Sequence, residues 1–198
     1  MFYDIVVKIA YFIFSIFFKL DVIGEDNILE EGSLVLCANH KNILDPILVS
    51  ILFPRRIHWM AKKELFKNPI LRFLIKSLGA FPVDREKMDI SAVKKSLKTL
   101  TRGEVLGIFP EGTRVKEMNL DNAKSGASLL AVRSKSPVLP VYIESSYKLF
   151  KKVNIYIGEP MYLYKDLKGK PTPNEYSEMS KKILAEIYSL NKKGDGIN

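Results

Sequence analysis

Residues 33–46 read Ser-Leu-Val-Leu-Cys-Ala-Asn-His-Lys-Asn-Ile-Leu-Asp-Pro. The stretch from Ser33 to Ala38 is a short apolar run rich in branched side chains, which reads as a buried strand. It stops at a polar turn, Asn39-His40-Lys41-Asn42. Asp45 and Pro46 then open a helix to about Phe53, with Asp at the N-cap and Pro at the first helical position. A strand running into a polar turn and then a helix is the repeating unit of a layered α/β fold.

The same alternation extends in both directions. Upstream, Leu20–Ile23 reads as a short strand and Gly24–Gly32 as a polar loop. Downstream, strands are expected at Arg56–Ala61, Ala80–Val83, Val105–Phe109, Val138–Ile143 and Val153–Ile157. Helical periodicity covers Lys63–Leu78 (broken at Asn68-Pro69), Ile90–Thr101, Ala123–Arg133 and Asn174–Leu190. The pattern predicts an α/β fold with a mixed, largely parallel central sheet flanked by helices. In such sheets ligands gather at the C-terminal ends of the strands. His40, the Asp84-Arg85 pair and the turn at Glu111 each follow a predicted strand directly. No Gly-Pro-rich linker divides the chain, so residues 20–198 read as one domain preceded by an apolar helix over residues 1–19.

That helix, MFYDIVVKIAYFIFSIFFKL through Leu20, is rich in Phe. Its uncharged run, Ile9–Phe18, is shorter than the roughly 20 residues a bilayer crossing needs. It lacks the basic start and small-residue cleavage site of a signal peptide. Asp4, Lys8, Ser15 and Lys19 fall on one side at helical spacing. Two placements follow: a helix lying in a membrane interface, which the Phe residues at 12, 14, 17 and 18 favour, or one packed on the protein's own core.

The formal charge of +9, from 31 Lys plus Arg against 22 Asp plus Glu, suits an anionic partner: nucleic acid, an acidic membrane or a phosphorylated substrate. The lysine pairs are dispersed and not interleaved with aromatics, which argues against nucleic acid. Cys37 is the only cysteine, so no intrachain disulfide forms, and its apolar setting reads as core. A cytosol-facing protein is the natural inference. One cysteine and two histidines cannot build a structural zinc site, and there is no phosphate-binding loop or Gly-x-Ser-x-Gly elbow.

His40 and Asp45 offer the clearest chemistry. A carboxylate brought back onto the imidazole accepts one ring N–H, fixes the tautomer and supports the imidazolium. The other nitrogen is then free to take a proton from an alcohol, with an ordinary pKa of about 6.5 close to operating pH. The plainer alternatives are a turn histidine bonded to backbone and an aspartate serving only as N-cap. In Phe109-Pro110-Glu111-Gly112-Thr113-Arg114 a buried strand enters a tight turn. Gly112 allows close backbone approach, Arg114 can grip a phosphate through two hydrogen bonds, and Glu111 can accept from substrate hydroxyls or orient Arg114. A solvated surface ion pair is the alternative. Arg85 is a second phosphate candidate, with neutralisation by Asp84 as the plainer alternative, and Lys62 and Lys63 add charge at a neighbouring strand end. His58, within a strand beside Trp59, reads as structural.

Together these segments resemble the glycerolphosphate acyltransferase family, specifically its 1-acyl-glycerol-3-phosphate acyltransferases. Asn39–Pro46 resembles the family's His-x4-Asp motif, Gly79–Arg85 its second motif ending in Arg, and Val138–Ile143 its fourth. Phe109–Arg114 matches the third, Phe-Pro-Glu-Gly-Thr-Arg, without departure. Ala61–Leu65 and Lys124–Ala127 also look familial. Order and spacing agree from about residue 20 to 160. The resemblance implies that His40 is the general base, that Asp45 orients it, and that Arg85, Glu111, Gly112, Thr113, Arg114 and Lys62 bind the glycerol-phosphate head. Pro140 would shape the acyl side. The implied reaction is direct attack on an acyl-carrier-protein or acyl-CoA thioester, with no metal or cofactor. Oxyanion donors would come from backbone amides near His40 or Lys62. The acceptor would be a lysophospholipid or, as the alternative, glycerol-3-phosphate; a non-catalytic lipid-binding module is the rival from another class. The implied location is peripheral or monotopic, on the cytoplasmic face of the cell membrane. There each surface Lys or Arg adds about 1 kcal/mol of attraction to anionic headgroups.

Overall fold

Two strands at the centre of the sheet set the architecture. Strand β2 (Leu34–Ala38) is buried along its whole length, and its partner β5 (Val105–Ile108) is buried likewise. Leu34, Leu36 and Ala38 point to one face, while Val35 and Cys37 point to the other. A strand covered on both faces has no polar positions to alternate, which explains the continuous apolar run. The computed structural model describes residues 2–84 and 89–194.

The remaining strands are β1 (Lys19–Ile23), β3 (Ile57–Lys62), β4 (Phe81–Val83), β6 (Val138–Ser145) and β7 (Lys152–Ile157). The described residues form a seven-stranded sheet in the order β1-β7-β6-β2-β5-β3-β4. From β6 to β4 every neighbouring pair is parallel. β7 reverses against β6, and β1 follows β7. The mixed, largely parallel sheet expected from the sequence is therefore the one observed. Its consequence is that β2, β5, β4 and β6 deliver the loops beginning at Asn39, Phe109, Asp84 and Ser146 to a single edge. Because β1 runs the other way, the chain entering it also arrives at that edge.

Helices cover both faces. On one lie α1 (Phe2–Phe17) and α2 (Asp45–Leu52), whose Phe14, Leu48, Val49 and Ile51 pack on Leu36, Ile57, Val141 and Ile155. On the other lie α4 (Ile90–Thr101), α5 (Gly126–Ser134) and α6 (Pro173–Gly194), with Leu100, Leu130, Ile183, Leu184 and Ile187 against Val35, Leu106 and Tyr142. The short α3 (Pro69–Ser77) starts where expected, because Asn68 accepts hydrogen bonds from the N–H groups of Ile70 and Leu71. Leu120–Asn122 is a single tight turn, so the helix predicted from Ala123 begins only at Gly126.

α1 has three sides, one of which takes up the expected packing on the protein's own core. Val7, Ala10 and Phe14 pack on the core, and Asp4, Lys8 and Ser15 form a polar edge. Ile5, Ile9, Phe12, Ile13 and Ile16 form a third, apolar side open to solvent, with Phe12 66% exposed. Of the Phe residues expected outside, Phe14 is buried and Phe18 is partly so. The apolar surface continues onto α3, where Ile70 is 80% exposed and Phe73 meets Phe2 edge-on at 5.9 Å between ring centres. Among the described residues no helix is long and apolar enough to cross a membrane.

Candidate active site

The edge assembled by β2 and β5 brings the two strongest sequence segments together. Where β2 ends, the buried Asn39 side chain bonds both the carbonyl and the N–H of Ile143, at 3.1 and 2.7 Å. It thereby completes the ladder to β6 and lets the main chain turn away at His40.

His40 Nδ1 lies 2.9 Å from Asp45 Oδ2. The same oxygen accepts the N–H groups of Lys41 and Asn42, each at 2.7 Å. Asp45 Oδ1 accepts the Tyr147 hydroxyl at 2.6 Å. Asp45 is 1% exposed, so its charge is carried by these hydrogen bonds and by its place at the start of α2. The expected N-cap role is corrected here. Leu44 occupies the cap position and Asp45 is the first helical residue. Its carboxylate reaches backwards over the histidine loop and does not cap its own helix. A carboxylate only accepts, so the bond places the proton on Nδ1 and leaves the Nε2 lone pair available. No second hydrogen-bond partner of the ring is found among the described residues.

The ring itself rests on a column of aromatics. His40 stacks on Phe109 with 4.0 Å between ring centres, and Phe109 stacks on Trp59 at 4.8 Å. Trp59 is steadied by a 2.8 Å bond from its indole N–H to Ser50. Beneath it lies Gly107, where a Cβ would come within 2.5 Å of the Trp59 ring.

Glu111 does not face a ligand as expected. It is 1% exposed. One carboxylate oxygen accepts the His40 N–H at 2.7 Å and the other the Tyr188 hydroxyl at 2.6 Å. Burial raises its pKa, opposed by these two donors. The contact expected with substrate hydroxyls is thus replaced by a brace between the histidine loop and α6. A second tie, from the Val115 N–H to the His40 carbonyl at 2.9 Å, joins the two loops again. The amides of His40, Lys41 and Asn42 are all engaged in these contacts, so they are not the oxyanion donors expected near His40.

Gly112 takes a left-handed φ of 71°, the conformation the turn requires and the one glycine adopts most readily. Thr113 and Arg114 beyond it are exposed, and Arg114 forms no hydrogen bond or ion pair with the described residues. Arg85 lies outside the described residues. Lys62 is half-exposed at the end of β3, 3.7 Å from Glu64. Asp84 pairs with Lys63 at 2.6 Å. A largely apolar cavity of about 720 Å³ opens beside the Pro110–Thr113 turn and runs between α4 and α5 past Met60, Val83, Ile90, Val93 and Leu129. His58 sits at the far end of β3, 3.3 Å from Glu104, with its pKa lowered by burial.

Sequence reasoning missed Tyr147 and Tyr188, which stand 102 and 77 residues from the carboxylates they bond. Neither carries a local signal. Asn39 did carry one, as an amide at the end of a buried strand.

The family model described as Acyltransferase matches residues 19–144. A 1-acyl-sn-glycerol-3-phosphate acyltransferase from Bacillus subtilis is 34% identical over 88% of this chain and 89% of its own length. One from Borreliella burgdorferi is 26% identical over 85% of this chain and 68% of its own. The crystal structure of the 1-acyl-sn-glycerophosphate (LPA) acyltransferase from Thermotoga maritima superposes with a TM-score of 0.74 at 25% identity, covering 97% of this chain and 79% of that one.

Proposed function

The chain belongs to the acyltransferase family, and on that premise we propose that it moves a fatty acyl group from a thioester to the sn-2 hydroxyl of 1-acyl-glycerol-3-phosphate, giving phosphatidic acid. The observation that carries this reading is the 2.9 Å His40–Asp45 pair held beside the Phe109–Arg114 turn. Nε2 of His40 takes the proton of the acceptor hydroxyl as its oxygen attacks the thioester carbonyl carbon. Asp45 supports the imidazolium. The carbon–sulfur bond then breaks, and the thiolate of acyl carrier protein or CoA leaves with the proton that His40 returns. The thioester is already activated, so no acyl-enzyme intervenes. Arg114, exposed and without a hydrogen-bond or ion-pair partner among the described residues, is the headgroup ligand, with Thr113, Lys62 and Arg85 assigned to the same anion. The cavity between α4 and α5 has the lining an alkyl chain needs. Its test is an acceptor series. Purified protein given acyl carrier protein and CoA thioesters is expected to acylate lysophosphatidic acid faster than glycerol-3-phosphate or zwitterionic lysolipids. Folded protein inert on every acceptor, or fastest on glycerol-3-phosphate, overturns the assignment.

The acceptor resides in a bilayer, and the open apolar side of α1 with its extension on α3 supports docking on an anionic membrane surface. Arg72 and Lys76, on α3, suit anionic headgroups. The lone buried thiol of Cys37 supports the cytoplasmic face. Phe12→Glu combined with Ile16→Glu changes only the open side. The double variant is expected to melt as the native protein does and to stay in the supernatant when anionic vesicles are sedimented. Unchanged co-sedimentation rules out α1 as the docking element.

A further inference from the structure

The connection from β6 to β7, residues 146–151, contains two bulky residues in the left-handed region, Tyr147 with φ 49° and Phe150 with φ 63°. Aromatic side chains rarely adopt this conformation, and it persists only where surrounding contacts hold it. Those contacts run in two directions. The Tyr147 N–H bonds the Ser145 hydroxyl at 2.9 Å, and its own hydroxyl bonds Asp45 Oδ1 at 2.6 Å. The Phe150 N–H bonds the Phe17 carbonyl at 2.6 Å, and the Tyr147 ring meets Phe18 edge-on at 6.1 Å. The loop therefore hangs between the end of α1 and the carboxylate beneath His40.

An aspartate's terminal torsion is soft and roughly two-fold, so its carboxylate turns easily unless both oxygens are held. In Asp45 one oxygen gathers three donors, from Lys41, Asn42 and His40. Among the described residues only Tyr147 holds the other. Burial raises the pKa of the phenol, and the Asp45 charge raises it further, so the hydroxyl stays protonated and donates.

Resting on the assignment of His40 and Asp45 as base and orienter, we propose that Tyr147 is a positioning residue for the acyl transfer, fixing the Asp45 carboxylate and through it the His40 ring from a loop anchored on α1. Tyr147 touches neither acceptor nor donor in this scheme, so its loss acts on turnover and not on substrate binding.

The test compares Tyr147→Phe with Asp45→Asn and His40→Ala on vesicles containing lysophosphatidic acid. Tyr147→Phe is expected to lower kcat roughly tenfold to a hundredfold, the usual weight of a hydrogen bond to a charged group, with KM for the acceptor unchanged. A kcat within twofold of native, or a rise in KM alone, overturns the proposal. If Tyr147→Phe does not fold, Ser145→Ala decides. It keeps the phenol but frees the backbone that aims it, and a severalfold fall in kcat at constant KM is expected; native kcat overturns the proposal. Active His40→Ala would instead remove the base assignment itself, an outcome distinct from a silent Tyr147→Phe beside a dead His40→Ala.

Discussion

Replacing His40 by alanine is expected to lower kcat by about a thousandfold, within the range general bases contribute. The fold should survive. The side chain is 12% exposed and sits at the top of its aromatic column, clear of the two buried helix–sheet cores. Its removal uncovers one face of Phe109, a loss of about 1 kcal/mol. The backbone N–H and carbonyl of residue 40, which bond Glu111 and Val115, are kept by alanine. The variant is therefore expected to melt close to native and to bind vesicles normally. Turnover at the native rate by this variant would show that the imidazole is not the base.

The second large effect is at Asp45, where alanine and asparagine are expected to part company. Alanine leaves the partly buried N–H groups of Lys41 and Asn42 and the Tyr147 hydroxyl without their acceptor. Each orphaned donor costs about 1–3 kcal/mol, so Asp45→Ala should lose about 3 kcal/mol or more. For a chain of this size that lowers Tm by roughly 10 °C. Asparagine can set its carbonyl where Oδ2 was and offer its NH2 to Tyr147, whose hydroxyl rotates to accept. Asp45→Asn is thus expected to melt near native yet lose about a hundredfold in kcat, because the charge opposite the imidazolium is gone. Calorimetry and steady-state rates on the two variants check this together. Equal destabilisation by both would mean that charge, and not the count of acceptors, holds the histidine loop. A native kcat for Asp45→Asn would remove the electrostatic role.

Much of the scaffold was legible because its signals are local. The apolar runs of β2 and β5 have the length and composition of doubly covered strands, and α4 was read with the boundaries it has, Ile90–Thr101. His40 and Asp45 stand five residues apart, so one turn suffices to bring them together. The place and direction of β1 were not legible, since they depend on pairing between Lys19–Ile23 and Lys152–Ile157 across most of the chain, whereas the reversal of β7 follows from its short connection to β6. Glu111 misled for the same reason. A carboxylate in a Pro-Glu-Gly turn has every local mark of a solvent-facing ligand. Only Tyr188 on the last helix and the main chain at His40 reveal that it points inward. Periodicity sees neighbours at two to four residues, whereas the contacts that define this pocket span many tens.

Gly107 gives the column under His40 a further meaning. With 2.5 Å between a would-be Cβ and the indole of Trp59, the absence of a side chain on β5 decides how high Trp59 sits above the sheet, hence Phe109, hence the imidazole. The altitude of the reacting nitrogen is thus dictated from the floor of the protein, three storeys below any substrate. A methyl group added there would tilt the whole pile, and a change buried at the centre of the molecule would register first as misaligned chemistry.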